Sequence, residues 1–272
     1  MITFMQRIVL MGACLLSFSS YALENNACLD DYPGVGPQIN LINTSPVILC
    51  APNGGFVTYY SESWKLPLFS LEHLTRQHVV EHYGQKRTDS FRPDDRLPHK
   101  DRAELSDYMR SGYDRGHMAP DADSWNQASE YDTFVLSNMI PQAPDNNRGL
   151  HAHIEAAVRH LAKQVGDIYV YTGPLFLEPN QVRYIHNRIP VPDHIFKLVY
   201  NRYTNKAAAY VELNVNGNSE HYDVISAQRL KEISGIDFLP GKNPDMMDLP
   251  KPINYGNNNH EHRYSRHSLF GF

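Results

Sequence analysis

Hydrophobic positions fall mostly in short β-branched and aromatic runs, and only one long stretch carries a helical period. Phe56-Val-Thr-Tyr-Tyr60, Trp64-Lys-Leu-Pro-Leu-Phe69 and Thr133-Phe-Val-Leu-Ser137 have the composition of strands. Leu150, Ile154, Val158 and Leu161 recur at i, i+4, i+8 and i+11, which predicts a helix from near Asn147 that Gly166 stops. Ile168-Tyr-Val-Tyr-Thr172 predicts a strand closed by Gly173-Pro174. Ile195–Tyr200 and Ala207–Leu213 predict two more, neighbours across the turn at Asn201–Asn205. Ser226 is placed to cap a second helix ending at Gly235. Residues 84–112 are polar and contain Arg87, Arg92, Arg96, Arg102 and Arg110, the pattern of a long functional surface loop. Strands with two inserted helices imply one α+β domain over 56–250.

The two ends read differently. Residues 1–22 predict an export signal: Arg7, an apolar run from Ile8 to Leu16, then the small–x–small site Ser20-Tyr21-Ala22. The run is shorter than the roughly 20 residues a bilayer span needs. Cleavage would leave a periplasmic or secreted protein without a membrane anchor. It would also remove Cys14, so Cys28 and Cys50 are expected to form a disulfide. That bridge would pin a turn-rich N-terminal arm over 23–55. Residues 251–272 form a polar tail rich in Asn and His.

Composition adds one exclusion. Charged residues are 20% and hydrophobic residues 42%, which excludes a disordered chain. The formal net charge is −5, and loss of Arg7 would leave 24 basic against 30 acidic side chains. That excludes a globally basic nucleic-acid coat, but not a nuclease, which needs only a local positive cleft.

The densest polar cluster is Tyr113-Asp-Arg-Gly-His-Met-Ala-Pro120. Leu136-Ser-Asn-Met-Ile-Pro-Gln142 and Asn146-Asn147 follow, with Glu155 further down the predicted helix. Phosphodiester hydrolysis needs a base for water, a cation for the phosphoryl oxygens, arginines for the phosphate, and groups that orient them. His117, a metal at Asn147, Arg115, and Asn138 with Glu155 supply that set. On one continuous helix, Glu155 would lie about 80° round from Asn147 and two turns on.

These residues resemble the DNA/RNA non-specific endonuclease family, the sugar-non-specific nucleases to which endonuclease G belongs. Asp114-Arg115-Gly116-His117 matches its signature. Ser137-Asn138-x-x-Pro141-Gln142, Asn147 and Glu155 follow in family order and spacing, and Ile189–Pro192, Phe196-Lys197 and Ser234–Pro240 extend the match. The resemblance implies a ββα-metal fold with a central, mostly antiparallel sheet and flanking helices. It implies hydrolysis of DNA and RNA through backbone contacts, leaving 5′-phosphate ends. His117 is then the general base, Asn147 the direct ligand of Mg²⁺ or Mn²⁺, and Glu155 the holder of metal-bound water. Arg115 and Asn138 grip and position the phosphate, with an upstream arginine that is either Arg87 or Arg92. A homodimer is compatible with this reading. One departure is visible: the family usually has Trp four residues after the metal Asn, and this chain has His151.

Each residue also has an ordinary reading. Asn147 is a good helix N-cap, Asn138 a good turn residue, and Arg115 or Glu155 a common surface charge. The pairs His151/His153 and His260/His262 suggest zinc, but i and i+2 on a helix face apart, so His151 and His153 do not readily share a metal, and His260 and His262 lie in the polar tail with no matching cysteine or ordered third ligand.

Overall fold

Alternation sends Ile168 and Val170 to one face of the strand Asp167–Leu175, and Tyr169 and Tyr171 to the other. Both faces are covered, so this strand reads as a continuous apolar run. The structure, a computed structural model, describes residues 27–32, 36–39, 46–82, 86–217 and 220–253. The expected signal at 1–22 and the tail beyond 253, with His260 and His262, lie outside them.

The strand sits at the centre of an eight-stranded sheet. From one edge the order is Tyr222–Ile225, Lys206–Leu213, His194–Asn201, Asp167–Leu175, Leu66–Thr75, Phe56–Ser61 and Val47–Cys50. These neighbours are antiparallel, and the short strand Asp245–Met246 joins Lys206 and Ala207 in parallel. One face packs tyrosines and phenylalanines, among them Phe69, Tyr171, Phe196 and Phe238. The other carries the helix Leu150–Val165, whose Leu150, Ile154, Val158 and Leu161 meet Val170 and Val199. Gly166 ends this helix in the left-handed conformation at φ 91°, and Gly235 ends the helix Ala227–Ser234, which Ser226 caps.

Four expectations need correction. Thr133–Ser137 is not a strand. The helix Gln127–Thr133, capped by Asn126, runs into a 3₁₀ turn at Leu136–Asn138, and Phe134 and Leu136 are buried by packing rather than by strand pairing. The strand expected from Trp64 begins at Leu66 and continues to Thr75. Gly173-Pro174 does not close its strand. Pro174 pairs with Ile195 beyond the last residue paired to the other neighbour, where a missing N–H costs no ladder bond. Finally, the described residues form six α-helices rather than two, the short ones at Arg76–Glu81, Leu105–Tyr108, Gln127–Thr133 and Pro144–Arg148.

Cys28 and Cys50 are joined, 22 residues apart, tying the N-terminal turn Ala27–Asp31 to the edge strand. A loop of this size is worth about 3 kcal/mol in the chain-entropy model. Cys28→Ser/Cys50→Ser should lower the urea midpoint accordingly. An unchanged midpoint would show that the bridge does not stabilise the fold.

Against this frame stands a smaller two-stranded sheet, Asp114–His117 with Met139–Gln142. Met118, Leu136, Met139 and Ile140 seat it on Leu66 and Ile195 of the large sheet. This sheet and the helices after it form the ββα unit.

Candidate active site

In the small sheet Asp114 pairs with Gln142 and His117 with Met139. Gly116 is required by close approach: a Cβ there would lie 1.9 Å from Gln142 Oε1. His117 is 7% exposed. Its ring meets Phe134 edge-on at 5.0 Å and Phe91 at 5.6 Å. Nε2 is buried and has no hydrogen-bond partner among the described residues. Burial pushes the imidazole down to about 4; Asp121 opposes this and the Arg87 guanidinium adds to it. His117 is therefore neutral at ordinary pH.

The polar loop is fastened beside this ring. Arg92 N bonds Phe134 O, Leu136 N bonds Arg92 O, and Ser137 Oγ donates to Asp94 Oδ2. That fastening brings Phe91 onto His117 and separates the two candidate arginines. Arg87 lies over Phe134 at 4.9 Å and pairs with Asp121 and, at 2.7 Å, Asp89. Arg92 turns away, stacked on Tyr131 at 3.6 Å, donating to Tyr131 O and 3.8 Å from Asp132. Arg115 lies over Phe91 at 4.0 Å, and its guanidinium forms no ion pair or hydrogen bond among the described residues.

Asn138 corrects its expected role. It is fully buried, and its side chain makes four protein hydrogen bonds. Oδ1 accepts from Ser70 Oγ and Ala119 N, and Nδ2 donates to Ala119 O and Thr133 O. An amide has no further capacity for a phosphate. Asn138 instead anchors the chain directly after His117 to the large sheet.

The helix expected to carry the metal-side residues is also different from expectation. It is two segments, Pro144–Arg148 and Leu150–Val165, broken at Gly149. A Cβ on Gly149 would lie 2.6 Å from Asp145 O, so the break admits glycine alone without a shift. Asn147 is therefore not an N-cap, and a single helical wheel does not relate it to Glu155. Its Nδ2 donates to Asp114 Oδ2 at 3.0 Å, and Arg148 grips the same carboxylate with two bonds. Asn147 Oδ1 accepts no hydrogen bond among the described residues.

Glu155 has a side chain 12% exposed and faces His151 Nε2 at 3.3 Å, an ion-pair contact without hydrogen-bond alignment. Burial would raise its pKa, but the His151 charge, with Lys197 and Arg159, brings it down to about 2. His151 is buried too. Burial opposes its charge, yet Glu212 and Glu155 raise it to about 9. Glu155 is held as an anion.

These oxygen donors fit a hard cation. A lone amide oxygen, with few other protein donors, suits an ion that keeps most of its waters. Among the described residues no group of three or more His, Cys, Asp or Glu could hold a metal, so a protein-ligated zinc cage has no donors here. His151 is engaged by two carboxylates, and His153 is only half-buried.

Sequence reasoning passed over Asp114 as a partner of Asn147 and missed Glu212. A signal for Glu212 existed: it is an acid inside the apolar run Ala207–Leu213, and buried acids need partners.

The chain and its fold resemble known nucleases. The chain is 32% identical to human mitochondrial endonuclease G over 204 residues, covering 68% of this chain and 67% of that protein. It is 38% identical to a mitochondrial nuclease of Saccharomyces cerevisiae over 157 residues, and spans about half the length of that relative. A crystal structure of the EndoG/EndoGI complex superposes with a TM-score of 0.65 at 26% identity, covering 77% of this chain and 94% of that one. The DNA/RNA non-specific endonuclease profile matches residues 41–245, the span that contains the small sheet, the broken helix and every residue discussed at the site, and the chain belongs to that family.

Proposed function

We propose that the protein is a Mg²⁺-dependent endonuclease that hydrolyses phosphodiester bonds of both DNA and RNA. The observation that carries this reading is the His117 ring. It is neutral, with a buried Nε2, and it sits on the same strand as Arg115; among the described residues neither that nitrogen nor the Arg115 guanidinium has a hydrogen-bond partner. A buried ring nitrogen without a partner calls for a polar one, and water is the nucleophile.

The roles follow from the contacts. His117 accepts a proton from water at Nε2 as the water's oxygen attacks phosphorus. Arg115, spread over Phe91, holds a phosphate oxygen with its free donors. Arg87, over the Phe134 ring that packs on His117, adds positive charge nearby, with Asp121 and Asp89 fixing its direction. Asn147 Oδ1 would hold the metal ion, and Glu155 would accept hydrogen bonds from the ion's waters. When bound, the ion supplies charge neutralisation to the phosphoryl oxygens and the leaving oxygen. Asp114 holds the Asn147 amide so that Oδ1 stays available. The leaving group is the 3′ oxygen, so products carry 5′-phosphates. Contacts directed at phosphates carry no base information, which fits both nucleic acids.

Export is part of the same reading, supported by the apolar run before Ala22 and by the disulfide, which persists in oxidising compartments. No described helix is long and apolar enough to cross a membrane.

The test is one assay. Purified protein is incubated with supercoiled plasmid and with RNA, in Mg²⁺ or EDTA. Linear and then short products from both substrates in Mg²⁺, and none in EDTA, are expected. Cleavage that persists in EDTA, or intact substrates in Mg²⁺, would overturn the reading.

A further inference from the structure

Asn147 and Glu155 lie on opposite sides of the break at Gly149, so no continuous helix sets their separation. A buried bridge from the large sheet spans the break. Glu212, 3% exposed on the strand Lys206–Leu213, uses both carboxylate oxygens. Oε1 takes the Nδ1 of His151 at 2.5 Å, on the helix that carries Glu155. Oε2 accepts from Asn146 Nδ2 at 2.8 Å, on the short helix beside Asn147. From there Asn146 Oδ1 accepts from Gln142 Nε2 at 2.7 Å, on the strand paired with the His117 strand. His151 in turn faces Glu155 at 3.3 Å.

A buried carboxylate is costly unless each oxygen is paired, and here the partners come from both helical segments. A side chain bonded to two elements fixes their relative position at a point where the backbone does not. A side chain with a single N–H donor, such as Trp, cannot face two carboxylates at once. His151 has a nitrogen for each. We propose that Glu212 and His151 are positioning residues of this enzyme, a brace from the sheet that sets the Asn147 amide oxygen against the Glu155 carboxylate across the Gly149 break and so determines how well the divalent ion is held. This rests on the reading of Asn147 and Glu155 as the metal-side groups.

The test compares Glu212→Gln, Asn146→Ser and Asn147→Ala with the unaltered full chain. Glu212→Gln keeps the volume but cannot accept at both oxygens. Asn146→Ser cuts the tie to the short helix and leaves the His151 contact intact, so it serves if Glu212→Gln folds poorly. Three quantities are read: the Mg²⁺ concentration for half-maximal cleavage, Mn²⁺ binding to the protein alone by the electron paramagnetic signal of free ion, and the thermal midpoint. Both brace variants should raise the Mg²⁺ requirement and weaken Mn²⁺ binding on the order of 10-fold, the usual cost of losing an outer-shell partner, with little change in KM for DNA at saturating Mg²⁺. Melting temperatures that fall while the Mg²⁺ requirement and Mn²⁺ binding stay put would make the brace merely structural and overturn the proposal. If Asn147→Ala also leaves both metal readouts unchanged, the metal reading itself has failed. If Asn147→Ala shifts them and the brace variants do not, only the brace has failed.

Discussion

His117→Ala should lower kcat on the order of 10²- to 10⁴-fold, the usual share of general acid–base catalysis, while the protein stays folded. The imidazole packs against Phe91 and Phe134, and the Arg115 guanidinium lies over that same Phe91 ring. Truncation also removes a buried nitrogen without a partner, which offsets part of the packing lost against Phe134. The pH profile gives an independent check. A base must be neutral, so activity is lost as pH falls through its pKa, and burial has moved that point from the ordinary 6.5 down to about 4. The acid limb of kcat should therefore lie near pH 4, well below the limb of an ordinary histidine, and should vanish from the residual activity of His117→Ala. Stability moves in the matching direction: an unfolded chain takes up this proton below pH 6.5 and the folded one resists until about 4, so His117 weakens the fold across that window. A folded His117→Ala protein with near-normal turnover would refute its role as base.

Asn147→Ala is the second large effect. Activity at moderate Mg²⁺ should fall at least about 100-fold, because alanine removes the amide oxygen proposed to hold the ion. The fold should hardly respond. Asn147 is not an N-cap, and its lost bond to Asp114 is a single part-exposed contact worth about 1 kcal/mol, with Arg148 still gripping that carboxylate. Mg²⁺ titration of cleavage and a melting curve separate the two readings. A loss of activity that only tracks a fall in melting temperature would leave Asn147 a structural residue.

Several features were legible because they depend on near neighbours in the chain. The i, i+4, i+8 period of Leu150–Val158 predicts the long helix, and Gly166 its end, because both follow from local backbone geometry. The alternating apolar runs at 168–172, 195–200 and 207–213 predict central strands for the same reason. The clusters at 113–120 and 136–142 could be picked out from their polar density and spacing, but not their pairing as two strands. The break at Gly149 was not legible: the apolar period and the good N-cap at Asn147 suggested one helix, whereas the chain passes too close to Asp145 O for anything but glycine.

Tertiary contacts decided the rest. Nothing local distinguishes Arg87 from Arg92. Packing of the loop on Phe134 sends one toward His117 and the other onto Tyr131. Asn138 has the residue type of a phosphate contact, yet burial against Ser70, Ala119 and Thr133 consumes all its hydrogen-bonding capacity. The drop of the His117 pKa requires the aromatic wall that buries it, and the pairing of Glu212 with His151 joins residues 61 apart in the chain. The sequence by itself determined which chemical groups are present and the local order of strands and helices, because propensity and periodicity act over a few residues. Which polar groups keep unused hydrogen-bonding capacity, which are spent on internal contacts, and how far each titration is displaced were decided only by the fold, because desolvation and hydrogen-bond satisfaction depend on neighbours that the chain brings from far away.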